Sequence, residues 1–400
     1  TVTLSHARGE ALGRATSPSP FLQEVARAVT GFAVKRVGRP VVPEPTGVSN
    51  AAELRLRTLL DGAPSVEAWA VEARSLAAME HERLRFFSDE GADGGAFSGA
   101  VDPELLAGQF AFEAERPLSA GRLSVYGNCA YAGFLADVLG LEPKESQGED
   151  PDGRSKGTLA HRVLELLLPV LREALPANLE NVVALAVEEA AGRHERAFPV
   201  GHPLLWSLQR QRIVREISAL VRSGRARPFE GLLPEKAEWK FTVELPGVGH
   251  LGGKIDRVDV GASGVAVIDY KTQQIVGRQE HVQRLLSRDW QLPIYAYAVK
   301  AAGLGAQVDA ALVSTREGTK TLSEIAKGAG VTVEELITTD PMVQARLQEQ
   351  GRPNLGNAVA GLVGRLREGD FAARPQDCMF CPYRAVCRIS SRKLPEEFGR

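Results

Sequence analysis

The sequence predicts an α/β protein, with one mixed central β-sheet flanked by helices and a mostly helical N-terminal region ahead of it. Three observations carry this. Between residues 237 and 272 the runs "AEWKFTVEL", "GHLGGKIDRVDV" and "GVAVIDYKT" alternate or run apolar, carry β-branched residues and are separated by turn formers. Ahead of them, "GTLAHRVLELLLPVLREAL" and two segments at 180–196 and 203–223 have helical periodicity. Behind them, "HVQRLLSRDWQLPIYAYAVKAAG" returns to helix before a fourth strand, "AQVDAALVST".

The elements follow in order. Residues 1–49 mix a short helical piece, "FLQEVARAV", with Pro-rich turns, and residues 51–87 read as helix broken near "DGAPS". The Gly- and Asp-rich "SDEGADGGAFSGAVDPE" is a linker. It predicts two parts, an N-terminal region over 1–115 and a larger domain over 116–400. The larger domain opens with a helix over 119–139, N-capped by Ser119, and a polar loop, "EPKESQGEDPDGRSKG". The three consecutive strands pair antiparallel. Helices at 332–350 and 355–368 then lead to the C-terminal "CMFCPYRAVCR".

Composition narrows the function. With 44% hydrophobic and 24% charged residues, the 400-residue chain can bury a core as a soluble protein. No run of 18 apolar residues offers a membrane span, and the first residues lack the apolar core of a secretion signal. Four cysteines are too few for a disulfide scaffold and point to a reducing compartment, the cytoplasm. The chain opens on Thr rather than Met, so a longer parent protein is expected. A net charge of −2 gives no global signal for nucleic acid, so any DNA contact must come from a local patch. Arg210, Arg212, Arg215, Arg222, Arg225 and Arg227 form one candidate, and a solvated helix face is the alternative.

The chemistry concentrates on the strands. Asp269 and Lys271 are two apart at the end of an apolar strand, so their side chains share a face at the edge of the core. Burying a carboxylate and an ammonium there is costly unless they are paired or hold a metal. A D-x-K tripeptide alone is common as a surface ion pair. Asp256, thirteen residues upstream on the preceding strand, changes the reading because the short turn brings it beside Asp269. Two adjacent carboxylates repel, and a divalent cation between them relieves this. A neighbouring lysine then suits proton handling or charge stabilisation at phosphorus.

"GTLAHRVLE", "GGKIDRVD", "VIDYKT" and "QLPIYAYA", in that order, resemble the motifs of the PD-(D/E)XK nucleases of the RecB/AddB type. The resemblance covers roughly residues 117–390 and implies a restriction-endonuclease-like core. It implies that His161, Asp256, Asp269 and the backbone carbonyl of Tyr270 hold Mg²⁺ or Mn²⁺, and that Lys271 is the catalytic lysine. Gln291 and Tyr295 match the motif that positions the active site and DNA. Glu165, one turn beyond His161, is expected to orient it. Glu238 opens the first strand and reads as an exposed strand-end charge, with approach to the metal as the alternative. The opening "LSHARGEALGRATSPSPFLQEV" resembles the segment that follows the helicase motifs in such proteins, while no G-x-x-x-x-G-K-[ST] phosphate loop occurs.

Cys378, Cys381 and Cys387 have the spacing C-x2-C-x5-C, and the remaining cysteine, Cys129, lies far upstream. Four thiolates suit Zn²⁺ or a 4Fe-4S cluster. One distant cysteine with this spacing resembles the iron–sulfur staple of the same nucleases, which implies a 4Fe-4S cluster. The resulting expectation is a metal-dependent DNA exonuclease from a helicase–nuclease that processes double-strand breaks. Its partners would be DNA ends and a helicase motor, with no membrane. A non-catalytic DNA-end-binding scaffold and a stand-alone CRISPR-adaptation-type nuclease are the alternatives.

Overall fold

The computed structural model describes residues 99–106, 108–142, 153–275, 288–378 and 381–387, with Arg284 and isolated positions between 24 and 82. Most of the N-terminal region, the polar loop at 143–152 and the start of the helix expected at 281 lie outside the described residues. Within "FLQEVARAV", Glu24, Val25, Arg27 and Ala28 are helical. The chain divides into two compact units, Thr1–Glu82 and Arg83–Arg400. The second unit therefore begins ahead of residue 116, and Phe110 and Phe112 are buried in its core.

The strands are β1 (Leu118–Ser119), β2 (Leu233–Leu245), β3 (Gly249–Gly261), β4 (Gly264–Lys271), β5 (Val308–Ser314) and β6 (Thr319–Thr321). They form one mixed sheet in the order β1-β3-β4-β5-β6, with β2 also pairing β3. β2, β3 and β4 pair antiparallel in succession, as expected, and β4 pairs β5 in parallel. The parallel pair needs a crossover, and the helix beginning at Gln291 supplies it.

The early helices are α1 (Ala120–Asn128), α2 (Ala130–Gly133), α3 (Gly153–Leu166), α4 (Leu168–Arg172), α5 (Leu179–Ala197) and α6 (Pro203–Arg222). After β4 comes α7 (Gln291–Ala301), and after β6 come α8 (Leu322–Gly328), α9 (Val333–Ile337), α10 (Pro341–Glu349), α11 (Leu355–Arg367) and α12 (Arg384–Cys387). One core packs α1, α7 and α11 on the sheet through residues such as Leu123, Ile294 and Val363. A second packs α3, α5 and α6 on the other face through Val163, Val187 and Ile217 against Ile268 and Tyr270. The sheet is thus covered on both faces, which is why β4 reads as a continuous apolar run.

The structure corrects several expected boundaries. Ser119 does cap a helix, accepting from the Arg122 backbone N–H at 3.2 Å. That helix stops at Cys129, which is extended with φ −165°, and resumes as α2 and one π turn, Phe134–Val138. The helix expected over 332–350 is two, because Asp340 caps a new start with Pro341 in its first turn. β6 and α8 were not expected. The two glycines of "LGGKID" permit close approach: a Cβ on Gly252 would lie 2.5 Å from Pro117, and one on Gly253 3.2 Å from the Phe241 ring.

Candidate active site

Asp256 and Asp269 meet where β3 and β4 separate. The ladder between these strands ends at the pair Arg257↔Ile268, so Asp256 faces Asp269 across the next rung. There the backbone N–H of Tyr270 donates to Asp256 Oδ2 at 2.8 Å. A carboxylate has replaced a backbone acceptor, and the strand ends open at that point. The other Asp256 oxygen lies 3.1 Å from His161 Nδ1, on α3. Asp256 thus joins a helix of the second core to the sheet.

Asp269 is held from α7. Gln291, the first residue of that helix, donates from Nε2 to Asp269 Oδ1 at 2.7 Å. The same Gln291 accepts from Lys271 Nζ at 3.0 Å and donates to the Tyr295 hydroxyl at 3.1 Å. Lys271 Nζ also stands 2.7 Å from Asp269 Oδ2 as an ion pair. That buried oxygen accepts no hydrogen bond of ordinary geometry. His161, Asp256 and the Tyr270 N–H form one bonded group, and Asp269, Lys271, Gln291 and Tyr295 another; the two adjoin through the chain at Asp269–Tyr270.

Burial dominates the electrostatics. It pushes the Asp269 carboxyl up to about 6, against the lowering pull of Lys271, and the Asp256 charge adds to the rise. Burial alone would lower His161, but its hydrogen bond to Asp256 and the charges of Asp256 and Asp269 raise it on balance. Lys271 behaves alike: burial lowers it, and Asp269, then Asp289 and Asp256, raise it on balance. Burial raises the Tyr295 hydroxyl to about 12, so it stays protonated at neutral pH while it accepts from Gln291. Two carboxylates on separate strands and an under-bonded buried oxygen fit a divalent cation. Among the described residues no three His, Cys, Asp or Glu groups close on a common point. A cation here would rest on two carboxylates and complete its shell from water, backbone or phosphate, as Mg²⁺ commonly does.

Other expected residues fall elsewhere. Glu165 accepts from Arg162 at 2.5 Å, three residues back on the helix, so it pairs there rather than orienting His161. Glu238 is not at a strand end. It lies within β2 between the pairs Ala237↔Arg257 and Trp239↔Ile255, which sets it opposite Asp256. Among the described residues it is the one non-glycine at positive φ, 50°, and it pairs with Lys254. Five of the six arginines proposed as a DNA patch are engaged within the protein. Arg210, Arg212 and Arg222 pair with glutamates. Arg225 and Arg227 donate to backbone carbonyls.

Sequence reasoning missed the support beneath the site. Arg257 and Asp259 are each 1% exposed and form a bidentate pair with both bonds at 2.7 Å. Arg257 also donates to the Tyr270 hydroxyl and to the Ala226 carbonyl. This fixes the rear of β4 behind Asp269. The signal was present as R-x-D, an i, i+2 spacing that puts both side chains on one face of the strand.

The cysteines gather at a separate place. Cys129, Cys378, Cys381 and Cys387 line one cavity with Tyr131, Asp377 and Tyr383. None of the four is in a disulfide. Burial first, and then the neighbouring thiols, push the Cys378 thiol up to about 11. The four line one cavity, although among the described residues no three of them close on a common point; thiolates gathered there would repel, and a cationic centre would relieve that repulsion.

This chain belongs to the PD-(D/E)XK nuclease superfamily, whose family model matches residues 117–388. Within it, the chain is similar to the B subunit of the ATP-dependent helicase/deoxyribonuclease of Moorella thermoacetica. The two are 25% identical over a 476-residue alignment that covers 96% of this chain and 40% of that protein. The corresponding protein of Streptococcus equi subsp. zooepidemicus is 30% identical over 210 residues, covering 51% of this chain and 18% of that protein. That of Streptococcus mutans is 28% identical over 178 residues, covering 44% of this chain and 16% of that protein. The chain spans at most two fifths of the length of these relatives. Among the described residues no helix is long and apolar enough to cross a membrane.

Proposed function

We propose that this chain is the nuclease module of a helicase–nuclease that degrades DNA from its ends during double-strand break repair. The observation that carries it is the network of Asp256, Asp269, Lys271 and Gln291 at the open end of β3 and β4. Similarity to helicase/deoxyribonuclease proteins supports a motor partner. Asp256 and Asp269 would hold Mg²⁺ or Mn²⁺, with His161 and the Tyr270 carbonyl completing the protein's share of the site. When bound, the cation supplies Lewis acidity at the scissile phosphate and makes water a better nucleophile. Lys271 directs its ammonium at charge developing on phosphorus. Gln291 holds Lys271 and Asp269 at fixed separation, and Tyr295 fixes the Gln291 amide. The buried sheet keeps these groups from relaxing toward solvent.

The cysteine cavity would hold a 4Fe-4S cluster that staples the C-terminal segment to α2. The cluster supplies cross-linking rather than redox chemistry, because no catalytic residue lines that cavity. Closing so long a loop stabilises by about 5 kcal/mol in the chain-entropy treatment of crosslinks.

The exonuclease reading is tested with end-labelled linear DNA and a covalently closed circle of the same sequence, each incubated with the chain and Mg²⁺. Linear DNA should shorten from its ends while the circle persists. A circle cut as fast as the linear form would make the protein an endonuclease.

A further inference from the structure

The cavity of the four cysteines and the catalytic network are separate, yet one side chain joins them. Asn128 ends α1 and immediately precedes Cys129. Its side-chain amide donates to the Asp377 carbonyl at 3.0 Å, and its own backbone carbonyl accepts from the Gln376 backbone N–H at 2.8 Å. Asp377 immediately precedes Cys378. Asn128 therefore binds together the two segments that carry the cysteines. Its side-chain oxygen accepts from Arg288 Nη1 at 2.5 Å, and Arg288 Nη2 stands 3.9 Å from Asp377 Oδ2.

Arg288 leads directly into the active site. Two residues on, Trp290 is buried and forms the N-cap position of α7. The next residue is Gln291, which bonds Asp269, Lys271 and Tyr295. The intervening Asp289 adds its charge near Lys271. Trp290 makes no side-chain capping bond to the helix. The entry of α7 is thus set by packing of Trp290 on one side and by the Arg288 tether on the other. Arg288 thus makes one hydrogen bond, to Asn128, and a longer charge contact, to Asp377, and the planar guanidinium sets both directions at once, which a single ammonium does not.

We propose that Arg288 is a positioning residue that couples the cysteine staple to catalysis, holding the first turn of α7 so that Gln291 keeps Asp269 and Lys271 in register. This rests on the nuclease reading above. It gives the staple a second consequence: loss of the staple loosens Gln291, although no cysteine approaches the catalytic groups. A displacement of about 1 Å in a catalytic group suffices for a large loss of rate.

The test combines amide hydrogen exchange with cleavage kinetics on the full chain, using Arg288→Gln, Arg288→Lys, Asn128→Ala and the Asn128→Ala/Arg288→Gln double variant. Exchange over residues 290–295 should accelerate at least tenfold in Arg288→Gln, and the double variant should add nothing further. With end-labelled single-stranded DNA and Mg²⁺, kcat should fall at least tenfold with KM for DNA within about twofold, and Arg288→Lys should recover only part of it. Iron and zinc content should be unchanged in Arg288→Gln, which separates loosening of α7 from loss of the staple. Cys378→Ser should lower kcat in the unmodified chain and add little in Arg288→Gln. Unchanged exchange over 290–295 overturns the proposal. So does an effect on KM alone, which would make Arg288 a DNA contact, or strict additivity of the two single variants. An unmodified chain that cleaves no DNA counts against the nuclease reading instead, and the exchange data then decide the tether by themselves.

Discussion

Asp269 is buried with its carboxyl raised to about 6, from an ordinary 3.8. The folded protein therefore keeps a proton that the unfolded chain has already released, so stability falls as pH rises from about 4 to about 6 and stays reduced above that. At neutral pH the penalty is on the order of 2–3 kcal/mol. Asp269→Asn should then melt no lower than the unmodified protein without divalent cation. Mg²⁺ should raise the melting temperature of the unmodified protein and leave that of Asp269→Asn unmoved. A variant that melts well below the parent in EDTA would show that Lys271 needs Asp269 more than burial disfavours it. Gln291→Ala should slow cleavage by about 10²-fold, the scale of one lost electrostatic or positioning group, with DNA binding retained in a gel-shift assay. Asp256, Asp269 and Lys271 were legible in the sequence because a short turn and a period of two place them unaided. The Gln291 link was legible only through family resemblance, since nothing in the sequence alone brings residue 291 to residue 269.

At the scale of elements, β4 is held from behind by Arg257, Asp259 and Tyr270. Breaking one partner of a fully buried ion pair strands the other charge, which costs roughly 3–5 kcal/mol. Urea unfolding of Arg257→Met should show a loss of that size, and Arg257→Met/Asp259→Leu should regain most of it. Equal losses in the single and double variants would mean that packing, not charge, holds the strand. The strands themselves were readable from alternation and turn residues. The helix break at Cys129 was not, because "RLSVYGNCAYAGFLADVL" has unbroken helical periodicity and the break answers to a tertiary demand. Asn128 and Cys129 face the C-terminal segment, and an extended residue there lets both reach it. β6 and α8 were missed for a plainer reason: a three-residue strand carries too little pattern to register.

Over the whole molecule, two cores on opposite faces of one sheet meet at the open ends of β3 and β4. Asp256 reaches the helix of one core and Asp269 that of the other. The C-terminal segment packs near α2, where Cys129, Leu135 and Tyr383 form a small core of their own, and the proposed staple would fix it there. Anaerobically purified protein should contain about four irons per chain. Cys381→Ser should lose them and expose the segment beyond residue 370 to trypsin within minutes, while the parent resists. One tightly bound zinc per chain would replace the cluster and leave the staple in place. Four thiols that alkylate freely in the native protein would remove both.

In the proposed function Asp256, Asp269 and Lys271 hydrolyse phosphodiester bonds in DNA. That function is tested most directly by nucleotide release from linear DNA, with and without Mg²⁺, comparing the purified chain with Asp269→Ala. Release by the unmodified chain is expected only when the cation is present, with a fall of at least about 10³-fold in the variant at equal secondary-structure content. Release by Asp269→Ala at the parental rate would contradict that function.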